Sequence, residues 1–291
     1  MNRMNLTSIG GIVGSILLGV LLAILGSSGG VSAGGLSVFA IAVLLAFVVN
    51  VVVFVPSFLK RTEHYYDLTG SSTYLLVTIV SLVLANNWDA RSILLSALIA
   101  VWALRLGSFL FLRVRRAGKD RRFDKLKHNF GRFLMMWCIQ GLWVSMTLGA
   151  ALAAITAEDG RKPVGVAAVI GLLIWVVGFG IEVVADRQKS AFKSDPANNG
   201  RFITSGLWAW SRHPNYFGEI LLWFGIALIA LPNLGGWRWA TLISPVFVWL
   251  LITRISGVPM LEARAEKKWG SEAAWQKYKA ATPELVLRPP R

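Results

Sequence analysis

Residues 36–58 read LSVFAIAVLLAFVVNVVVFVPSF, an uninterrupted apolar run without a charged side chain. A helix needs roughly 20 such residues to cross a hydrocarbon core of about 30 Å, so this stretch reads as a membrane span. The same signal recurs at residues 9–25, 73–85, 93–112, 133–156, 164–184, 217–231 and 239–255. The third and seventh runs are short, which leaves the count at seven or eight. In lipid a single segment satisfies its own backbone only as a helix, and no alternating pattern of strand length marks a barrel.

Composition agrees: 55% of residues are hydrophobic, 15% are charged and the mean hydropathy is +0.58, outside soluble norms. The expected fold class is an all-α, multi-pass transmembrane helical bundle. It reads as a single integral membrane domain over residues 1–291, with N-terminal spans and a basic loop at 1–132 and a motif-bearing region at 133–291. The first run is expected to be retained as a span rather than removed as a signal, since further spans follow it.

Charge sets an expected orientation. Eight spans place the N-terminus, residues 60–72, 113–132 and 185–216, and the tail from 256 on one side; these carry 24 of the 30 Lys and Arg residues. The opposite side holds only Arg91, Arg161, Lys162 and Arg238, while Arg105 and Arg254 fall within spans. By the positive-inside rule both termini are cytoplasmic. That topology, with anionic headgroups, accounts for the net charge of +15 without a nucleic acid. The lone Cys138 offers no disulfide, and the three histidines lack ligand spacing, so no metal is expected.

Polar chemistry gathers after the sixth run. In GIEVVADRQKSAF (180–192), Glu182 and Asp186 are four apart and share a helix face, suited to accept from ribose hydroxyls or an amide. The following loop and SRHPNYFGE (211–219) bring Lys193, Arg201 and Arg212, donors suited to a phosphorylated ligand, with His213, Asn215, Tyr216 and Glu219 beside them. Gly200, Gly206 and Gly218 allow close backbone approach, and Pro214 opens a helix whose amino end favours anions. Arg105, inside the fourth run, is expected to pair with a carboxylate in the bundle. The tail LEARAEKKWGSEAAWQKY (261–278) reads as amphipathic helices broken near Gly270, either an interfacial anchor through Trp269, Trp275 and Tyr278 or a lid over a cofactor.

The order E-x-x-x-D-R-Q-K-x-x-F, G-L-W, S-R-H-P-N-Y-x-G-E, a pair of spans and an L-E tail resembles the carboxyl-terminal domain of the steroid 5-alpha-reductase family. DLTGS (67–71) and WALRLGSFLFLR (102–113) extend the likeness to bacterial members of unknown substrate. The resemblance implies an NADPH-dependent enzyme of, for a bacterial member, the inner membrane. Such an enzyme reduces a carbon–carbon double bond conjugated to a ketone in a hydrophobic substrate delivered by the bilayer. It places Glu182, Asp186, Lys193, Arg201, Asn215 and Glu219, with Arg113 and Arg116, at cofactor-contacting positions. The family stabilises the developing oxyanion with a Glu and a Tyr. Here Glu63, followed by Asp67, matches the Glu, and Trp102 stands at the Tyr position; Tyr65 or Tyr66 is an alternative donor, since indole is a poor acid. Two other classes stay open: a methyltransferase of the isoprenylcysteine carboxyl type using S-adenosylmethionine, which shares R-H-P-x-Y followed by Glu, and a non-enzymatic scaffold or transporter.

Overall fold

The computed structural model describes residues 5–158 and 161–290, apart from the side chains of residues 116, 117 and 121. Eight helical segments among them are long and apolar enough to cross a membrane. The all-α bundle expected from the sequence is therefore present, and the count is eight. The third run lengthens to α3 (Tyr66–Ala85) because its polar residues hide within the helix. Thr69 and Thr73 donate their hydroxyls to the carbonyls of Tyr65 and Thr69, both at 2.7 Å, which lowers hydropathy without breaking the helix.

Chain contacts divide the molecule into two compact units, Met1–Ala168 with Ile229–Ser244, and Val169–Leu228 with Pro245–Arg291. The first contains α1 (Leu6–Gly26), α2 (Val38–Leu59), α3, α4 (Ala90–Ala117) and α5 (Phe130–Ile155). A two-residue hairpin, β1 (Ser32–Ala33) with β2 (Leu36–Ser37), joins α1 to α2. Helix α5 is its axis: nearly every residue from Gln140 to Ile155 is buried, and Gly141 lets the α2 backbone approach so closely that a Cβ there would meet Phe47 Cα at 3.1 Å. An aromatic cluster of Phe54, Phe123, Phe133 and Trp137 closes one end. Outward faces of α1, α2 and α4 carry exposed Leu, Val and Ile, as a lipid-facing surface requires.

The second unit pairs α6 (Val166–Ser194) with α7 (Pro214–Ala230). Their crossing is glycine on glycine. A Cβ on Gly218 would stand 2.5 Å from the Gly178 carbonyl oxygen and 2.7 Å from the Glu182 nitrogen. Gly218 thus serves helix packing, in place of the ligand approach expected from the sequence. The eighth segment is irregular: α8 (Ile243–Leu250) passes through a π-helical turn at Leu251–Ile255 into α9 (Gly257–Trp269), followed by α10 (Ala273–Ala281).

Candidate functional site

Close packing of α6 on α7 brings two polar motifs of the second unit together. Glu182 and Asp186 are both buried, and the Asn215 amide donates to Asp186 Oδ1 at 3.3 Å. The loop between the motifs folds back on α6. Leu207 N donates to Gln188 Oε1 at 2.9 Å, the Trp208 indole to the Ala185 carbonyl at 3.0 Å, and Lys189 Nζ lies 4.1 Å from the Trp208 ring centre. Gly206, at φ +61°, makes the turn that lets the Gln188 side chain cover it. Gly200, at φ +83°, has open space where a Cβ would stand.

The C-terminal tail clasps the SRHPNYFGE segment. Arg212 Nε and His213 Nε2 both reach Glu262 Oε1, at 3.2 and 2.8 Å. Arg212 Nη1 also donates to the carbonyls of Lys279 and Thr282, and its backbone N–H to Pro283. Ser211 Oγ donates to the Leu285 carbonyl at 2.8 Å. The Tyr278 hydroxyl donates to the Trp208 carbonyl at 2.6 Å, and burial pushes that phenol above its usual range. The tail aromatics expected at the membrane interface instead surround Phe202, whose ring centre lies 5.1 to 5.5 Å from those of Trp269, Trp275 and Tyr278. Trp275 is only 4% exposed.

These partners fix the chemistry of His213, which is 5% exposed. A carboxylate only accepts, so Nε2 carries the hydrogen that meets Glu262. Among the described residues His213 Nδ1 and Asn215 Oδ1 are both buried with no hydrogen-bond partner. Two unmatched polar atoms in one segment suit a polar ligand. Tyr216 stacks on the His213 ring at 5.9 Å. Lys193 and Arg201 are exposed, and Glu219 is half-buried.

In the first unit, Glu63 is 3% exposed and fully engaged. Its Oε1 accepts the Asp120 N–H at 3.0 Å and its Oε2 the Lys127 ammonium at 2.6 Å, pinning the α4–α5 link. Asp67 faces Arg113 at 3.5 Å and Arg122 at 3.3 Å. Burial opposes charge on Asp120, yet the hydrogen bonds and charge of Arg122, with Arg113 adding, hold its carboxyl below the usual range. Tyr65 is 53% exposed, and Tyr66 donates to the Met136 carbonyl at 2.9 Å. Trp102 is buried against Tyr74, ring centres 5.0 Å apart. Arg105 lies 5.3 Å from the Phe109 ring centre on its own helix. The Arg116 side chain lies outside the described residues.

Sequence reasoning left Glu262 unassigned; the L-E pair was visible, but its partner 49 residues upstream was not. The contacts of Lys127 with Glu63 and of Tyr74 with Trp102 likewise span sequence gaps that no local pattern bridges.

A 98-residue stretch is 33% identical to a probable O-methyltransferase, ustE, of Ustilaginoidea virens, covering 34% of this chain and 32% of that protein. A 99-residue stretch is 34% identical to the steroid 5-alpha-reductase DET2 of Gossypium hirsutum, covering 34% of this chain and 33% of that protein. The chain thus spans about a third of the length of the curated relatives it matches. No solved structure matches it significantly. The profile of a family described as "Protein of unknown function (DUF1295)" matches residues 53–282, most of the chain. With its family-level likeness to steroid 5-alpha-reductases, the protein belongs to the DUF1295 family.

Proposed function

We propose that the protein is an NADPH-dependent membrane reductase of a conjugated carbon–carbon double bond in a hydrophobic enone that arrives from the bilayer. The observation that carries this is the Asp186–Asn215 contact at 3.3 Å, flanked by His213 Nδ1 and Asn215 Oδ1, which are buried with no hydrogen-bond partner among the described residues. Such a segment fits the ribose hydroxyls and carboxamide of a dinucleotide. Glu182, Asp186, Asn215, Tyr216 and Glu219 are assigned to that recognition. Exposed Lys193 and Arg201 are assigned to phosphate. Arg212, held by Glu262 and two carbonyls, orients His213 and retains the tail.

NADPH, when bound, supplies a hydride to the β-carbon of the enone. Balance then requires a proton at the α-carbon and stabilisation of negative charge on the carbonyl oxygen. Glu63, paired with Lys127 at 2.6 Å, is assigned a positioning role. Asp67, Tyr65 and Trp102 are the further first-unit residues assigned to that charge, and Trp102 packs on Tyr74 with ring centres 5.0 Å apart. The proposed setting is a bacterial inner membrane with both termini cytoplasmic.

Similarity to a probable O-methyltransferase favours one rival, a methyl transfer from S-adenosylmethionine at the same polar segment. Thermal unfolding of the detergent-purified protein with NADPH, with NADH and with S-adenosylmethionine separates the two. Stabilisation by NADPH is expected; stabilisation by the methyl donor alone overturns the reductase.

A further inference from the structure

The four basic residues on the charge-poor face, Arg91, Arg161, Lys162 and Arg238, are scattered over three links of the sequence, yet the first unit gathers those links with the α1–α2 turn. The Asn87 amide donates to the Ile155 carbonyl at 2.9 Å, Lys162 N to Asn233 Oδ1 at 2.9 Å, and Val31 N to the Thr156 carbonyl at 2.9 Å. Arg238 Nη2 lies 3.4 Å from where a Cβ on Gly29 would stand. At the centre of this cap is Arg91, 1% exposed. Its guanidinium donates to the carbonyls of Ile229, Pro163 and Lys162.

Those partners are neutral. Burying a guanidinium without a counter-charge is costly, and a buried cation normally meets an anion. Among the described residues no carboxylate forms an ion pair with Arg91, Arg161 or Lys162. Asp89, two residues before Arg91, caps α4, accepting from Arg91 N, Ser92 N and Ser92 Oγ. Arg91 Nε is buried with no hydrogen-bond partner among the described residues. Arg91 also lines a cavity of about 210 Å³ together with Asp89, Arg161, Lys162, Pro163 and Val164. Among the described residues the Arg161 guanidinium makes one hydrogen bond, from Nε to the Ala157 carbonyl.

We propose that this cavity is a binding site for a phosphate group, held by Arg91 Nε, the Arg161 guanidinium and the Lys162 ammonium. Depth favours the phosphate of a membrane lipid. Trp88, beside Asp89 in sequence, and Trp237 and Trp239, beside Arg238, are exposed, and exposed indoles mark the headgroup level of a bilayer. A cation cluster at that level between spans is the arrangement that recognises anionic headgroups. The site is independent of the proposed reductase chemistry.

The test is thermal unfolding of delipidated protein in neutral detergent, titrated with inorganic phosphate, short-chain phosphatidylglycerol or short-chain phosphatidylcholine at fixed ionic strength. Phosphatidylglycerol in tenfold excess over its Kd is expected to raise Tm by roughly 3 °C. The rise should vanish in Arg161→Ala/Lys162→Ala, whose side chains are exposed and not needed for folding. It should persist in Lys60→Ala/Lys125→Ala, which removes two exposed cations elsewhere in the unit. A matching response to inorganic phosphate supports the site and identifies a free phosphate as ligand; a response to the lipid alone supports it and identifies a headgroup. No response to any phosphate, or an equal response in Arg161→Ala/Lys162→Ala, overturns it.

Discussion

His213 Nε2 meets Glu262 Oε1 at 2.8 Å across 49 residues of sequence, and Arg212 Nε shares the same oxygen at 3.2 Å. One carboxylate therefore orients the imidazole and anchors the guanidinium that holds the tail. Glu262→Ala strands a mostly buried cation and is expected to destabilise the fold by about 2–4 kcal/mol. Thermal unfolding and limited proteolysis should show a lower Tm and faster cleavage beyond residue 270. An unchanged Tm would mean that the clasp is not maintained in solution.

Glu63 and Lys127 form a pair at 2.6 Å with little exposure on either side chain. Glu63→Gln leaves Lys127 without its anion, whereas Glu63→Gln/Lys127→Met removes both charges. A double-mutant cycle should give a coupling of about 1–3 kcal/mol, with the double variant recovering stability. Additive losses would dissolve the pair.

Asp120 supplies a pH signature. Its carboxyl is held below the ordinary 3.8 by Arg122 against the opposing effect of burial. A depressed folded pKa contributes stability that is present above the unfolded value and lost as pH falls through the folded one. Wild-type protein should lose stability below pH about 4. Asp120→Asn should be less stable at neutral pH and show a shallower acid slope in that window; an unaltered slope would exclude Asp120 as a source.

Helix contact on α6 and α7 leaves no room at Gly218, where a Cβ would stand 2.5 Å from a backbone oxygen, but ample room at Gly180, where nothing lies within 4 Å. Gly218→Ala should cost roughly 1–3 kcal/mol and loosen NADPH binding. Gly180→Ala should be neutral or gain up to about 1 kcal/mol from helix propensity. Equal behaviour of the two would contradict the crossing.

Arg201 is exposed, and among the described residues its side chain makes no hydrogen bond or ion pair, so Arg201→Ala should reduce NADPH affinity roughly tenfold, about 1.4 kcal/mol, with Tm of the free protein unchanged. Glu219→Gln should weaken binding in the same direct titration. Unaltered affinity in both would move the pocket elsewhere.

The spans were legible because lipid imposes a length and a composition on every crossing, as in residues 36–58. The third was shortened by Thr69 and Thr73, whose hydroxyls fold back on carbonyls one turn earlier, a device hydropathy counts as polarity. The pairing of Glu182 with Asp186 on one buried face followed from their spacing. What the residues around them touch did not. Arg212 looked like a phosphate donor because its motif is basic, yet Glu262 and the carbonyls of Lys279 and Thr282 hold it. Trp275 looked interfacial because amphipathic tails carry such residues, yet it packs on Phe202. Each of these partners lies far away in the chain.

That distance also orders events in time. The Arg212 side chain waits on a carbonyl 70 residues downstream. During translation, the polar segment leaves the ribosome with neither Glu262 nor the tail yet made, so Arg212 and His213 at first lack the carboxylate that holds them. That segment can be clasped only after residues 262–285 have been made.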